Sequence, residues 1–147
     1  MSAHYAEQVA LWQYPEPYER YGGTGDVSFL VDPDNGYYAV LEHHELVAFR
    51  CFGADAQVPG GDYSADALDT GGGLRPELTG QGLGRSVIGA GLQFGRSRFS
   101  PTAYRLTVAA FNGRALSAVQ SLGFVEHQRF RSTADGDKYV VLVRRPA

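Results

Sequence analysis

The chain has one cysteine, one methionine and one tryptophan in 147 residues. A lone cysteine, Cys51 in the apolar run AFRCFG, rules out a disulfide within the chain and reads as a buried free thiol. Positive charge is scarce as well: 13 lysines and arginines stand against 16 aspartates and glutamates, a net charge of −3. The arginines are scattered rather than massed, so there is no basic field to draw nucleic acid. No apolar run nears the roughly 18 residues of a membrane span. Residues 1–20, MSAHYAEQVALWQYPEPYER, have no apolar centre of the kind a secretory signal carries. A soluble cytoplasmic protein that binds neither membrane nor nucleic acid is expected. Glycine, by contrast, is abundant at 19 residues, but it is spread without a period, which excludes a repeat or low-complexity chain. With 44% hydrophobic residues the length suits a single domain over residues 1–147.

Local patterns predict an α/β (α+β) chain. Pro15 and Pro17 stop a helix running from Ala6 through Trp12, and YGGTGD at 21–26 reads as loop. From Tyr37, YYAVLEHHELVAFRCFG is rich in strand formers and is interrupted by EHHE, which predicts an antiparallel hairpin. The stretch ALDTGGGL is extended, and its three consecutive glycines, Gly71 to Gly73, predict a bulge or a backbone that something approaches closely. Leu83, Val87, Ile88, Leu92 and Phe99 recur at helical spacing, with Gly84, Gly91 and Gly95 on the same stripe and Pro101 beyond the end. Tyr104, Leu106 and Val108 then alternate with Arg105 and Thr107, as in a half-buried strand. Asn112 is placed to cap a helix whose apolar face is Ala115, Leu116, Val119 and Leu122, and Gly123 followed by Phe124 matches its end. Asp135-Gly136 is a hairpin turn signal between two last strands. The sum is a mixed sheet with flanking helices.

RPELTGQGLGRSV, residues 75–87, places Gly80, Gly82 and Gly84 ahead of a helix. Such a loop presents unpaired backbone N–H groups and the positive end of the helix dipole, which favour phosphate. The nucleotide-triphosphate loop motif and the dinucleotide motif Gly-x-Gly-x-x-Gly both fail at Arg85, where each needs glycine.

LRPELTGQGLGRSVI resembles the acetyl-CoA-binding signature of the GCN5-related N-acetyltransferases, Arg/Gln-x-x-Gly-x-Gly/Ala after a strand ending in Val-x-Pro. Leu74, Pro76, Gly82 and Gly84 sit at the matching positions, and Thr79 stands where the family has Arg or Gln. FNGRALSAVQSLGF is similar to the second signature of that family through Asn112, Ala115, Gly123 and Phe124. QYPEPYERYG, PGGDY and LDTGGGLRP resemble a bacterial subgroup of the same family. The resemblance implies two central parallel strands that splay at a bulge, acetyl-CoA as cosubstrate in the splay, and direct acetyl transfer to an amine in a ternary complex, without a metal. It implies that Gly73, Leu74 and Arg75 flank the pantetheine arm. Gly80, Gln81, Gly82, Leu83, Gly84, Arg85 and Ser86 would hold the pyrophosphate. Asn112 would lie at the mouth of the splay, with its capping use an equal alternative.

For the chemistry, the resemblance places the amine's base at Asp69, with Asp66 second; a role for Asp69 in satisfying loop N–H groups stays open beside it. The oxyanion would meet a strand N–H near Leu74. The family's usual tyrosine acid falls at Val119, which has no proton to give, so Tyr63 is the substitute candidate. The alternative function is a non-catalytic acetyl-CoA-binding or regulatory module on the same fold. His43 and His44 are neighbours in a hairpin and would point to opposite sides of the sheet, so no metal site is expected. Tyr14, Tyr18 and Tyr21 are packing residues or the lining of an acceptor pocket. The amine acceptor and the assembly state, with a homodimer as one option, stay open at this point.

Overall fold

The computed structural model describes residues 1–22 and 25–145, so Gly23 and Thr24 of the expected YGGTGD loop lie outside the described residues. Ser2 caps α1 (Ala3–Ala10) by accepting a hydrogen bond from the Tyr5 N–H. The chain then leaves the helix before Pro15, makes a 3-10 turn at Glu19–Tyr21 and forms the short α2 (Ser28–Val31). The strands are β1 (Tyr37–Glu42), β2 (Glu45–Phe52), β3 (Leu68–Leu74), β4 (Tyr104–Ala109), β5 (Val125–Arg131) and β6 (Lys138–Arg144), with α3 (Leu83–Phe99) and α4 (Gly113–Ser121) between them. They form one sheet in the order β1-β2-β3-β4-β6-β5. Only β3 and β4 run parallel.

Each face of the sheet has its own core. Ala6, Val9 and Trp12 are spaced to share one helical stripe, and they pack with Leu30 and Leu46 on one face. Leu92 of α3 and Val119 of α4 pack with Leu106, Val108, Val140 and Leu142 on the other. Burying side chains of this size contributes about 1.5–3 kcal/mol each. The glycine stripe of α3 lets the helix lie close: a Cβ at Gly95 would stand 3.0 Å from the Phe52 ring and 3.3 Å from Leu68.

Two expectations change. His43 and His44 are not opposed strand residues but the two-residue turn of the β1–β2 hairpin, both left-handed with φ of 51° and 66°. The mirror-image hairpin turn demands positive φ at both positions. The half-buried strand expected at 104–109 is instead enclosed, with Arg105 only 4% exposed.

Candidate functional site

The ladder between β3 and β4 has two rungs, Leu68 with Tyr104 and Asp69 with Arg105. Beyond them both strands run on without each other, β3 to Leu74 and β4 to Ala109, so the sheet opens into a V with Asp69 and Arg105 at its apex. The bulge expected at Gly71–Gly73 is absent, because the β2–β3 register continues unbroken from Phe52–Thr70 to Ala48–Leu74. The strands part by divergence, not by an inserted residue.

Backbone alternation decides which groups face the V. The Leu68 N–H donates to the Ala103 carbonyl at 2.8 Å, across to β4. On the other edge, the Asp69 carbonyl accepts from the Gly53 N–H at 2.9 Å, and the Arg75 N–H donates to the Val47 carbonyl at 2.8 Å. Even-numbered residues of β3 therefore turn toward β4, and odd-numbered ones toward β2. Gly72 and Leu74 offer their backbone to the gap, and Gly72 is exposed although its strand is central. Gly73 and Arg75, both expected along the cofactor arm, turn their backbone to β2. The Arg75 side chain is also engaged, donating to the Leu46 carbonyl at 3.2 Å and pairing with Glu77 at 3.4 Å. The Leu74 carbonyl accepts from the Tyr14 hydroxyl at 2.6 Å. Burial, with Glu77 nearby, pushes the Tyr14 hydroxyl up to about 12.

The glycines divide by purpose. A Cβ at Gly72, whose φ is +156°, would stand 2.1 Å from the Phe49 carbonyl oxygen, and one at Gly73 would stand 2.8 Å from the Phe49 ring. Packing within the chain thus requires these two. Gly80 and Gly82 have φ of +76° and +77°, a left-handed loop conformation. Nothing lies within 4 Å of a Cβ at Gly82 or Gly84. Gly82 is the N-cap of α3, no side chain caps the helix, and its first turn holds no acidic residue. The N–H groups at Gly82, Leu83, Gly84 and Arg85 are the helix's orphan donors, and Arg85 adds positive charge at the positive end of the dipole. Such an end suits an anion. Ser86 stands exposed in the same turn, where it offers a hydroxyl. Thr79 and Gln81 brace the loop by donating to the Pro76 and Glu77 carbonyls at 2.7 and 2.9 Å.

At the apex Asp69 is 5% exposed and tightly held. Its Oδ1 accepts from Arg105 Nε at 2.6 Å, and its Oδ2 accepts from Arg105 Nη2 and from Gln57 Nε2, both at 2.8 Å. Arg105 also donates to the Ala65 carbonyl at 2.8 Å, and its guanidinium lies 5.0 Å from the Tyr63 ring centre. The strand carboxylate expected as the amine's base, with a bonding role as its alternative, is thus half of a buried bidentate pair. Asp66 is exposed and accepts from the Thr102 hydroxyl at 3.0 Å. Tyr63 reaches the β4 wall of the V, its hydroxyl 2.8 Å from Thr107 Oγ1 and accepting from the Val58 N–H at 3.0 Å. The arginine and Gln57 escaped the sequence reading, although a charged residue inside the strand YRLTVAA was a visible signal.

Asn112 caps α4, its Oδ1 accepting from the Ala115 N–H at 3.1 Å, while its Nδ2 donates to the Tyr21 hydroxyl at 3.4 Å. Tyr18 and Tyr21 pack on Phe111, and the Arg114 guanidinium lies 4.0 Å from the Tyr18 ring centre. The N-terminal segment is thereby tied down beside the open end of β4. On the same side a cavity of about 160 Å³ is lined by Trp12, Tyr14, Tyr21, Phe29, Tyr37 and Phe49 among others. Val119 is 1% exposed in the α3–α4 core. Among the described residues no cluster of His, Cys, Asp and Glu could hold a metal, and no helix is long and apolar enough to cross a membrane.

Compared as a sequence, the chain matches no family model and no curated protein. Compared as a structure, it resembles a chimera of the spermidine N-acetyltransferase SpeG from Vibrio cholerae and hSSAT, with TM-score 0.69 and 15% identity over 99% of this chain and 93% of that one. It also resembles the N-acetyltransferase PseH of Campylobacter jejuni, solved with acetyl coenzyme A (TM-score 0.57, 13% identity, 76% of this chain and 67% of that one). The aminoglycoside acetyltransferase AAC(6')-Ib, solved with coenzyme A and kanamycin, gives TM-score 0.61 at 15% identity over 74% of this chain and 65% of that one. A mixed sheet opened at its parallel pair, above a glycine loop and an uncapped helix, is therefore the N-acetyltransferase fold.

Proposed function

We propose that the protein is an acetyl-CoA-dependent N-acetyltransferase of the GCN5-related family, acting on an amine by direct attack in a ternary complex. The observation that carries this reading is the parallel pair β3–β4, which parts after two rungs beside a helix whose N-terminus no side chain among the described residues caps. The gap exposes a strand edge for an extended amide-bearing arm, and the loop offers space and donors for a pyrophosphate. A bound thioester supplies an acyl carbon: the amine nitrogen bonds to it, the C–S bond breaks, and coenzyme A leaves as thiolate.

The residues divide that work. Orphan N–H groups at Gly82–Arg85 hold phosphate oxygens, with Arg85 and Ser86 beside them. Gly72 and Leu74 present backbone N–H groups to the gap, where one meets the oxyanion. Asp69 and Arg105 fix the apex and so the spacing of the two walls; with three bonds already made, Asp69 is a positioning residue, and the amine proton passes to solvent. Val119 offers no acid, and none is required, since a thiol of pKa about 8.5 is a fair leaving group as thiolate. Tyr63, bonded to Thr107 on the β4 wall, is a hydroxyl placed to help.

The aromatic cavity receives the acceptor. Its walls favour an amine on an apolar or aromatic frame over a bare polycation. Thiol release from acetyl-CoA, measured across aliphatic, aromatic and polycationic amines, tests the reading. Release with the first two classes supports it. Coenzyme A binding without release for any amine favours the non-catalytic module instead.

A further inference from the structure

Arg50 of β2 is a buried cation with no role in the acetyl transfer described above. It is 6% exposed, yet no carboxylate among the described residues pairs with it; Nη2 donates to the Thr70 hydroxyl at 3.2 Å, the one hydrogen bond of its side chain among them. Its Nε is buried with no partner among the described residues. Desolvation pulls the guanidinium down to about 10, so it is still charged at neutral pH. An isolated buried charge costs several kcal/mol. The chain nevertheless makes room for it. A Cβ at Gly91 would stand 3.1 Å from Arg50 Nε, and a Cβ at Gly72 would stand 2.9 Å from Arg50 Nη1. Two glycines, one on α3 and one on β3, thus let the guanidinium lie directly against both elements, with donors to spare.

The position of that guanidinium points to what it binds. Gly72 is the exposed residue of β3 whose backbone faces the V, and Thr70 is adjacent to Asp69 at the apex. Gly91 lies eight residues beyond the start of α3, roughly 12 Å along the helix from the phosphate-binding end. An arm entering at the loop and running along the free edge of β3 would bring its acyl end to Gly72, beside Arg50. Arg50 also lies on the α3 face of the sheet, opposite its neighbour Phe49 and the aromatic cavity. An acyl tail can therefore turn toward Arg50 while its carbonyl carbon faces the amine.

We propose that Arg50 binds a carboxylate at the far end of the acyl group, so that a short dicarboxylic acyl-CoA, of malonyl or succinyl type, is a better donor than acetyl-CoA. A neutral amide oxygen would use a spare donor but leave the charge unbalanced, whereas a carboxylate does both. The transfer balances as before: the amine nitrogen bonds to the acyl carbon, coenzyme A leaves as thiolate, and the amide product keeps the free carboxylate. This inference rests on the acyl-CoA reading above. Calorimetric titration of the intact protein with coenzyme A, acetyl-CoA and succinyl-CoA separates the two. The expected result is binding of all three, with succinyl-CoA at least about tenfold tighter than acetyl-CoA. Arg50→Met, of similar length and uncharged, should bring succinyl-CoA down to the affinity of acetyl-CoA. Equal wild-type affinities for the two thioesters would overturn the carboxylate assignment while leaving the cleft intact. No binding of coenzyme A itself would overturn both.

Discussion

Replacing Asp69 by asparagine keeps the shape of the apex and removes its charge. In the native chain the carboxylate takes three short hydrogen bonds, two from Arg105 and one from Gln57. Asparagine can accept at one atom only, so at least one donor is set against an amide N–H, and Arg105, 4% exposed, is left charged without a counterion. Breaking one side of a buried ion pair costs about 3–5 kcal/mol. The conservative shape places this change near the lower figure, about 3 kcal/mol, or a fall in melting temperature of roughly 6–12 °C for a chain of this length. Denaturant unfolding and thermal melts check the number. The double variant Asp69→Leu, Arg105→Met removes both charges and should regain most of the loss, because what destabilises the single variant is the orphaned guanidinium. A catalytic base behaves otherwise: Asp69→Asn would fold as stably as wild type, within about 0.5 kcal/mol, and lose turnover alone. That outcome would refute the clasp and restore Asp69 as the base.

Gly84→Val should leave the fold intact, since nothing lies within 4 Å of its Cβ, and weaken coenzyme A binding at least about tenfold by filling phosphate space; unchanged affinity would take the loop out of the account. Gly72→Ala should cost more than about 3 kcal/mol in denaturant unfolding, because its Cβ would stand 2.1 Å from the Phe49 oxygen at a φ of +156°. Asn-Gly in place of His43-His44 should raise stability by about 1 kcal/mol, as both positions are left-handed. Tyr14 holds its proton to about 12, above the ordinary tyrosine value of 10.0, so the native state binds that proton more tightly than the unfolded chain. Its stabilisation is complete below pH 10 and is lost as the pH climbs to 12. Melts across that range should show the decline, and Tyr14→Phe should lessen it, the remainder coming from other tyrosines and Cys51, whose protons are also held more tightly.

The elements were legible because their signals are local. Periodicity marked α3, Asn112 and Gly123 bracketed α4, and Asp135-Gly136 marked the last hairpin. The glycine loop was legible for the same reason, being a backbone site written in contiguous residues. The apex was not. Asp69 and Arg105 are 36 residues apart in the chain, and only the parallel pairing of β3 and β4 sets them side by side. A lone acid in a strand carries no mark of whether a partner waits across the ladder. The turn at His43-His44 was misread because its residues lack the usual asparagine and glycine, so the hairpin had to be inferred from its strands. Arg50 stood in plain view within AFRCFG. Its lack of a partner becomes visible only when α3 folds over it.

The central claim is that the opened β3–β4 pair and the bare end of α3 form a coenzyme A thioester site. A thermal shift with acetyl-CoA tests it most directly, because a ligand that binds only the native chain must raise the melting temperature. At about 100 times its dissociation constant acetyl-CoA adds about 2.7 kcal/mol, a rise of roughly 5–11 °C for a chain of this length. That rise is the expected result, and Gly84→Val should abolish it. A melting temperature unmoved by millimolar acetyl-CoA would contradict it.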